Sequence, residues 1–206
     1  LKIRKISLKV NTLNFVPFYR MKVRLKKEIV SLGIKDINVE KNTGKHISPS
    51  RWDKLIKNKN VKMIDVRNKY EIRIGKFKSA TNPLTESFRD FPKSFQLMNI
   101  KKNDTIAMYC TGGIRCEKAS SYLLQIGYKN VMQLDGGILN YLKMKKNKAL
   151  WNGECFVFDN RVSVNKKLNK GKYDQCHGCR NPITNNDKKS KFYKKGIYCP
   201  YCFNIR

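Results

Sequence analysis

Short buried strands alternate with amphipathic helices through the middle of the chain, and this alternation constrains the fold more than any other feature. Strands are predicted at residues 61–66, 105–109 and 131–134. Helical periodicity precedes the first strand and follows the other two, with Ala119, Tyr122 and Leu123 on one side of the longest helix. Because parallel strands need long crossovers, we expect an α/β domain over residues 46–146, with helices on both faces of a parallel sheet.

The segments on either side of this domain have a different character. Residues 1–34 carry alternating apolar residues that predict two strands, at 1–10 and 21–25. Two strands alone are marginal in water and the chain begins at Leu1, so we expect this piece to be the remnant of a larger unit. A Lys/Asn/Gly linker at 165–172 separates residues 173–206 from the domain. We therefore expect residues 173–206 to form a separate small module.

A cysteine at the end of the second predicted strand is the strongest functional signal. Cys110 is followed by Gly112, Gly113 and Arg115 where a helix begins. Backbone amides and the positive end of a helix lower a thiol pKa at such a turn, and the glycines let the loop close around the sulfur. We interpret Cys110 as a thiolate or persulfide and Arg115 as an anion-binding residue. The alternative is an inert buried cysteine before a glycine-rich turn.

Two further cysteines carry weaker signals. Cys116 could resolve a persulfide on Cys110 by forming a disulfide. Packing behind the loop is the favoured interpretation, because six positions across a helix start do not guarantee that the two sulfurs meet. Cys155 has no partner in the sequence and is expected to be structural.

Four cysteines near the C-terminus form two C-x-x-C pairs. Cys176 pairs with Cys179, and Cys199 pairs with Cys202. This spacing predicts a structural zinc site in a small, zinc-ribbon-like tail whose core is too small to fold without a metal. An iron–sulfur cluster and two redox-active pairs remain alternatives. His177 lies inside the first pair and is expected to be exposed rather than a ligand.

The chain is strongly basic, with 45 Lys and Arg against 15 Asp and Glu and a formal charge of +30. This balance favours a polyanionic partner, although 34 of the basic residues are Lys and a coding bias toward Lys and Asn would give the same result. Two basic runs stand out: Lys143, Lys145, Lys146 and Lys148, and Lys166, Lys167, Lys170 and Lys172. Tyr173 and Trp151 lie beside them and could stack on RNA bases, or Trp151 could be a packing anchor.

The sequence gives no sign of a membrane protein. No apolar run approaches the roughly 20 residues that a membrane helix needs, and no signal peptide is visible. The grouping of the seven cysteines favours thiol and metal chemistry over a disulfide scaffold. We therefore expect a cytoplasmic protein with no membrane partner.

Three separated motifs resemble the rhodanese-like domain. They are Asp65-Val-Arg67 with Tyr70-Glu71 and Gly75, the six-residue loop from Cys110 to Arg115, and Leu134-Asp-Gly-Gly137. The resemblance implies that the loop cysteine, Cys110, carries a persulfide cradled by loop amides. It also implies that Arg115 stabilises a bound anion. Asp65 and Arg67 are expected to form a buried ion pair that holds the architecture.

Longer segments resemble the bacterial tRNA uridine hydroxylase family, which contains a rhodanese domain. The resemblance rests on residues 109–120, on Arg20-Met-Lys-Val-Arg24, on residues 156–159 with Arg161, and on the cysteine-paired tail. It implies an N-terminal acylphosphatase-like α+β domain, of which residues 1–34 would be the last part. It also implies that the protein hydroxylates the wobble uridine of tRNA, with molecular oxygen as co-substrate and Cys110 as the indispensable residue.

Three functions therefore compete. The first is oxygen-dependent formation of 5-hydroxyuridine in tRNA. The second is sulfur transfer through a Cys110 persulfide, which the loop alone supports equally well. The third is a non-catalytic RNA- or protein-binding module whose loop holds an anion.

Overall fold

The structure is a computed structural model that describes residues 12–21 and 23–205. Its strands are β1 (Lys45–Ile47), β2 (Val61–Asp65), β3 (Gly75–Phe77), β4 (Thr105–Tyr109), β5 (Asn130–Leu134), β6 (Trp151–Gly153), β7 (Cys155–Phe156), β8 (Ser163–Val164), β9 (Asp174–Gln175) and β10 (Pro182–Ile183). Its α-helices are α1 (Pro49–Ile56), α2 (Lys69–Ile72), α3 (Phe91–Gln96), α4 (Ile114–Gln125), α5 (Gly137–Met144) and α6 (Asn185–Lys189).

The centre of the molecule is a four-stranded parallel sheet with the strand order β1-β5-β4-β2. The predicted α/β architecture is therefore confirmed, and all three predicted strands of this domain are present. Strand β4 lies between β5 and β2, so the residue that follows it emerges at the middle of the carboxyl edge of the sheet. Cys110 occupies that position, where ligands commonly bind in open α/β sheets.

Helices cover both faces of the sheet because successive residues of the buried strands point to opposite sides. Along β4, Ile106 and Met108 join the core on the side of α3 and α4. Ala107 and Tyr109 join the core on the side of α1 and α5. Residues 106–109 of β4 are apolar and buried, so this strand is covered on both faces, as expected for a parallel sheet with helices on both sides.

The region after α5 contains more regular structure than the sequence indicated. Strand β6 pairs antiparallel with β3, and β7 pairs antiparallel with β8. The predicted linker at 165–172 is also partly structured, since Val164 forms a bridge with Lys170 and Leu168 packs against the core. Backbone hydrogen bonds also hold this segment, since the amides of Gly171 and Lys172 donate to the Ser163 carbonyl and the Glu154 carboxylate, at 2.8 and 3.1 Å.

The N-terminal segment is only partly covered. The strand predicted at 1–10 lies outside the described residues. The strand predicted at 21–25 was wrong: the described residues ahead of β1 include no strand, and Met21, Val23 and Leu25 are exposed. An alternating pattern forms a strand only beside a partner, and these described residues pair with none. Leu32, by contrast, is buried against the core that α4 covers.

The tail folds around its cysteines. Strands β9 and β10 form an antiparallel pair, and a bridge between Lys194 and Tyr198 closes a hairpin before the second cysteine pair. The tail also contacts the α/β domain, where the Arg73 guanidinium donates to the Pro182 carbonyl at 2.8 Å. Among the described residues, the helices are all too short or too polar to cross a bilayer.

Candidate active site and cysteine cluster

Cys110 lies in a tight loop between β4 and α4, as the sequence predicted. The backbone amide of Gly113 donates a hydrogen bond to the Cys110 sulfur at 3.1 Å. Gly113 has a φ of 97°, a left-handed conformation that favours glycine, and it is the N-cap of α4. The backbone conformation of Gly113 therefore points its own amide toward the Cys110 sulfur immediately before α4 begins.

The start of α5 holds this loop from the other side. The amides of Ile138 and Leu139 donate to the carbonyls of Cys110 and Thr111, at 3.0 and 3.1 Å. Gly137 lies so close that a Cβ atom there would come within 2.5 Å of the Cys110 carbonyl oxygen. The predicted motif Leu134-Asp-Gly-Gly137 ends in a glycine pair. These two glycines thus let the first residues of α5 pack against the Cys110 loop.

The surroundings of Cys110 favour its thiolate. A hydrogen bond from the Cys116 thiol, the positive charge of Arg115 and the amides of Cys116 and Gly113 together outweigh burial and lower the pKa of Cys110 to about 6. An ordinary cysteine thiol has a pKa near 8.5. This lowered pKa favours a reactive cysteine over an inert one, because burial alone raises the pKa of an inert thiol.

Arg115 is held by a carboxylate. Its guanidinium donates two hydrogen bonds to Glu71, at 2.6 and 2.7 Å, and a longer one to the Thr111 hydroxyl. Burial opposes ionisation of Glu71, but the Arg115 hydrogen bonds and charge lower its pKa below the ordinary value. The Glu71 carboxylate thus occupies the two guanidinium donors of Arg115 that we expected a bound anion to take. The ion pair positions the loop. The anion-binding role of Arg115 stays a prediction.

Glu71 is the site residue that the sequence interpretation missed. It lies 44 positions before Arg115, at the start of α2, where its carboxylate also accepts from the amide of Asn68. Only the motif Tyr70-Glu71 pointed to it, and nothing in its spacing indicated contact with the loop. The capping arrangement at Asn68 fixes the glutamate so that it faces Arg115.

Cys116 and Cys155 are also buried, and the surroundings of each raise its pKa. Burial and the neighbouring Cys110 raise the pKa of Cys116 well above its ordinary value. Burial likewise raises the pKa of Cys155 to about 12. The Cys116 thiol hydrogen-bonds to the Cys110 sulfur, so the two sulfurs do meet, contrary to the reason given for the packing interpretation. A resolving thiol must ionise to attack, however, and the raised pKa of Cys116 disfavours its thiolate, so packing stays the favoured interpretation.

Asp65 and Arg67 form the buried ion pair that the resemblance implied. The Arg67 guanidinium donates to both Asp65 oxygens, at 2.9 and 2.7 Å, and to the Gly75 carbonyl at 2.6 Å. Both side chains are fully buried. The pair ties the end of β2 to β3, so its role is architectural.

The four tail cysteines converge in one cluster. The sulfurs of Cys176, Cys179, Cys199 and Cys202 all lie within 4.8 Å of one another. The Cys179–Cys199 and Cys199–Cys202 sulfur distances are 3.7 and 3.9 Å. Zinc–sulfur bonds of about 2.3 Å place tetrahedral sulfurs about 3.8 Å apart, so the cluster fits a metal such as zinc.

Contacts around the cluster also suit a metal site. The Asn181 side-chain amide donates to the Cys179 sulfur and the Cys199 amide donates to the Cys202 sulfur, both at 3.3 Å. A Cβ atom at Gly178 would come within 2.1 Å of the Ile197 carbonyl oxygen, so only glycine lets the two pairs approach. His177 is exposed and lies outside the cluster, as expected.

The two basic runs lie side by side. The Lys148 ammonium donates to the Lys166 carbonyl at 2.7 Å, and Lys166 donates to the Lys148 carbonyl at 3.3 Å. Trp151 is completely buried and packs edge-on against Phe77. The suggestion that Trp151 stacks on RNA bases was therefore wrong, because the ring is needed in the core. Tyr173 remains partly exposed beside these lysines.

Comparison with known proteins identifies the central domain. Residues 48–144 match the rhodanese-like domain family. A rhodanese-like domain protein from Staphylococcus aureus is similar at 26% identity, covering 52% of this chain and 95% of that chain, with a TM-score of 0.41. A rhodanese-related protein from Thermoplasma volcanium is 21% identical over 48% of this chain and 91% of that chain, with a TM-score of 0.41. Reduced CoADR-RHD from Bacillus anthracis is 24% identical over 48% of this chain and 16% of that chain, with a TM-score of 0.41. The central part of the chain, residues 48–144, is a rhodanese-like domain.

Proposed function

We propose that this protein is a tRNA-modifying enzyme that hydroxylates the wobble uridine at C5, with Cys110 as its reactive residue. The observation that carries the proposal is the Cys110 thiol, whose pKa is lowered to about 6 in a loop built at the carboxyl edge of the sheet. The choice of uridine rests on the resemblance of residues 109–120 and of the cysteine-paired tail to the tRNA uridine hydroxylases.

The proposed chemistry begins with the sulfur as a nucleophile. Addition of the Cys110 sulfur to uridine C6 would move an electron pair toward C5, which is the atom to be oxidised. One atom of molecular oxygen then becomes the new hydroxyl group and the other leaves as water. The two electrons and two protons come from a pair of cellular thiols, which end as a disulfide. Elimination from C6 returns the thiolate.

Sulfur transfer is the second candidate, and the closed loop favours it directly. The Cys110 thiolate would attack the outer sulfur of a donor such as thiosulfate, release sulfite and become a persulfide. An acceptor thiol would then take the outer sulfur and regenerate the thiolate. A loop amide at 3.1 Å and the nearby Arg115 charge suit an anionic sulfur in either reaction.

Mass spectrometry of tRNA nucleosides tests these functions. Cells that lack the gene should lose 5-hydroxyuridine and its derivatives, and the wild-type gene should restore them. The Cys110→Ser variant should not restore them, whereas Ile114→Ala, a change at an exposed side chain in the same loop, should.

The other outcomes select the competing functions. Loss of thiolated nucleosides in place of 5-hydroxyuridine would show that the protein transfers sulfur. Unchanged nucleosides would favour the non-catalytic binding module. Restoration of 5-hydroxyuridine by Cys110→Ser would contradict the role of Cys110.

A further inference from the structure

A cleft of about 940 Å³ lies outside the loop described above. It forms where residues 18–20, the segment that follows β7 and the tail meet. The amide of Asn160 donates to the Pro17 carbonyl at 3.0 Å and fixes the N-terminal segment at this place. Three parts of the chain that are distant in sequence therefore build one concave surface.

Exposed aromatic rings line this cleft. Phe18, Tyr19 and Phe158 are 58%, 93% and 63% exposed. Large aromatic side chains are normally covered by their own protein, so such exposure marks a binding surface. Phe158 is fixed by edge-on packing against the buried Phe156, at a centroid distance of 5.1 Å. The cleft thus presents rings on which a flat ligand can stack.

Cations that are free to bind a ligand share the lining. The acidic residues of the cleft are already neutralised, since Asp159 pairs with Arg161 and Asp174 pairs with Lys188. Arg20, Arg180 and Lys195 also line the cleft, and they form no salt bridge with any residue that the structure describes. The net character of the cleft is therefore positive, with rings and cations interleaved.

The cleft lies beside the reactive loop, although its lining includes none of residues 110–115. The Arg115 guanidinium carbon lies 5.8 Å from the centroid of the Phe158 ring, and Tyr70, the neighbour of Glu71, lines the cleft. A smaller cavity of about 420 Å³, lined by Lys166, Lys167 and Lys172, lies nearby on the other side of Tyr173 and its apolar neighbours. A polyanion that crosses the cleft would find further positive charge beyond it.

We propose that this cleft binds a single strand of RNA, with unstacked bases on Tyr19 and Phe158 and phosphates at Arg20, Arg180 and Lys195. Rings interleaved with cations are the recognition chemistry of single-stranded nucleic acid, because each base has a face that stacks and each phosphate carries a charge. The proposal rests on the proposed function in one respect, since it takes the bound RNA to be the substrate of Cys110.

Fluorescence anisotropy with two probes tests the cleft. One probe is a short, uridine-containing single-stranded RNA, and the other is the same RNA annealed to its complement. Tyr19→Ala and Phe158→Ala should each weaken single-strand binding about 5- to 100-fold, with less than about a 2-fold effect on the duplex. Tyr19→Phe and Phe158→Trp keep the stacking surface and should bind like wild type.

The cations predict a separate effect on salt dependence. Replacing both Arg180 and Lys195 by Gln should reduce the slope of log affinity against log salt by about 1.4, the value for two lost phosphate contacts on a single strand. The matched control replaces Lys57 and Lys59 by Gln, since both are exposed lysines outside the cleft. That pair should leave the slope unchanged.

The outcomes separate this proposal from the proposed function. Wild-type affinity in the alanine variants, or an equal loss with both probes, would overturn the cleft as a single-strand site. If either of these results is found and the deletion strain still loses 5-hydroxyuridine, the cleft proposal is wrong but the proposed enzyme function is supported. Selective loss of single-strand binding together with unchanged nucleosides would support the cleft and contradict the function.

Discussion

The reactive loop and the tail cluster both hold buried cysteines, yet their environments lead to opposite chemistry. At the loop, the Cys110 sulfur accepts from the Gly113 amide at 3.1 Å and from the Cys116 thiol and lies near the charge of Arg115, so its one negative charge is balanced locally. In the tail, four sulfurs face one another within 4.8 Å. Four thiolates at that distance repel each other unless a cation lies between them. The neighbours of each sulfur, rather than its burial, decide whether it reacts or binds a metal.

The largest effect is expected in the tail cluster, where one substitution should remove the proposed zinc. Cys199→Ser should lower bound zinc from about one equivalent per chain to near zero and unfold the tail, because the metal supplies most of its folding free energy. Metal analysis and limited proteolysis measure the two effects. His177→Ala changes an exposed residue inside the first cysteine pair and should retain the metal. Full zinc content in Cys199→Ser would show that the cluster is not the metal site.

A smaller effect is expected at the ion pair that supports the loop. Glu71→Gln leaves the buried Arg115 charge without its partner and should lower the free energy of unfolding by about 3–5 kcal/mol. Urea denaturation measures the change. Glu86→Gln removes the same group from an exposed pair with Lys69 and should cost at most about 1 kcal/mol. Equal losses in the two variants would refute a supporting role for the Glu71 pair.

A still smaller effect is expected where the second helix start meets the loop. Gly137→Ala should destabilise the protein by about 2 kcal/mol, since the added Cβ meets the Cys110 carbonyl in addition to a strained φ of 66°. Gly127→Ala is the matched control because it has a φ of 93° but open space around the new Cβ. It should cost only about 1 kcal/mol. If thermal denaturation shows that the two variants lose equal stability, the close contact between Gly137 and the Cys110 loop does not contribute to the stability of the protein.

The sequence predicted the parts of the fold that depend on local pattern. The buried strands and the turn at Cys110 follow from apolar runs and glycines that lie close together in the chain. The two cysteine pairs were also found from spacing alone, and their sulfurs meet as predicted.

The parts that sequence did not predict depend on contacts between distant segments. Glu71 meets Arg115 across 44 positions, and Trp151 is buried because β6 returns to pair with β3. The alternation at 21–25 predicted a strand, but pattern cannot show whether a partner strand is present. The exposed ring of Phe158 becomes part of a cleft only because the tail and residues 18–20 pack nearby. Each case needs the tertiary arrangement that local propensity does not contain.

Residue-resolved alkylation across a pH range tests the central claim most directly. The zinc-loaded protein is treated briefly with a small electrophile between pH 5 and 10, and each cysteine is followed by mass spectrometry. Since thiolates react and thiols do not, Cys110 modification should rise through a midpoint near pH 6 and level off above it. Cys116 and Cys155, whose pKa values are raised, should stay unmodified. A Cys110 midpoint near pH 9, or faster modification of any tail cysteine, would contradict the assignment of Cys110 as the activated sulfur.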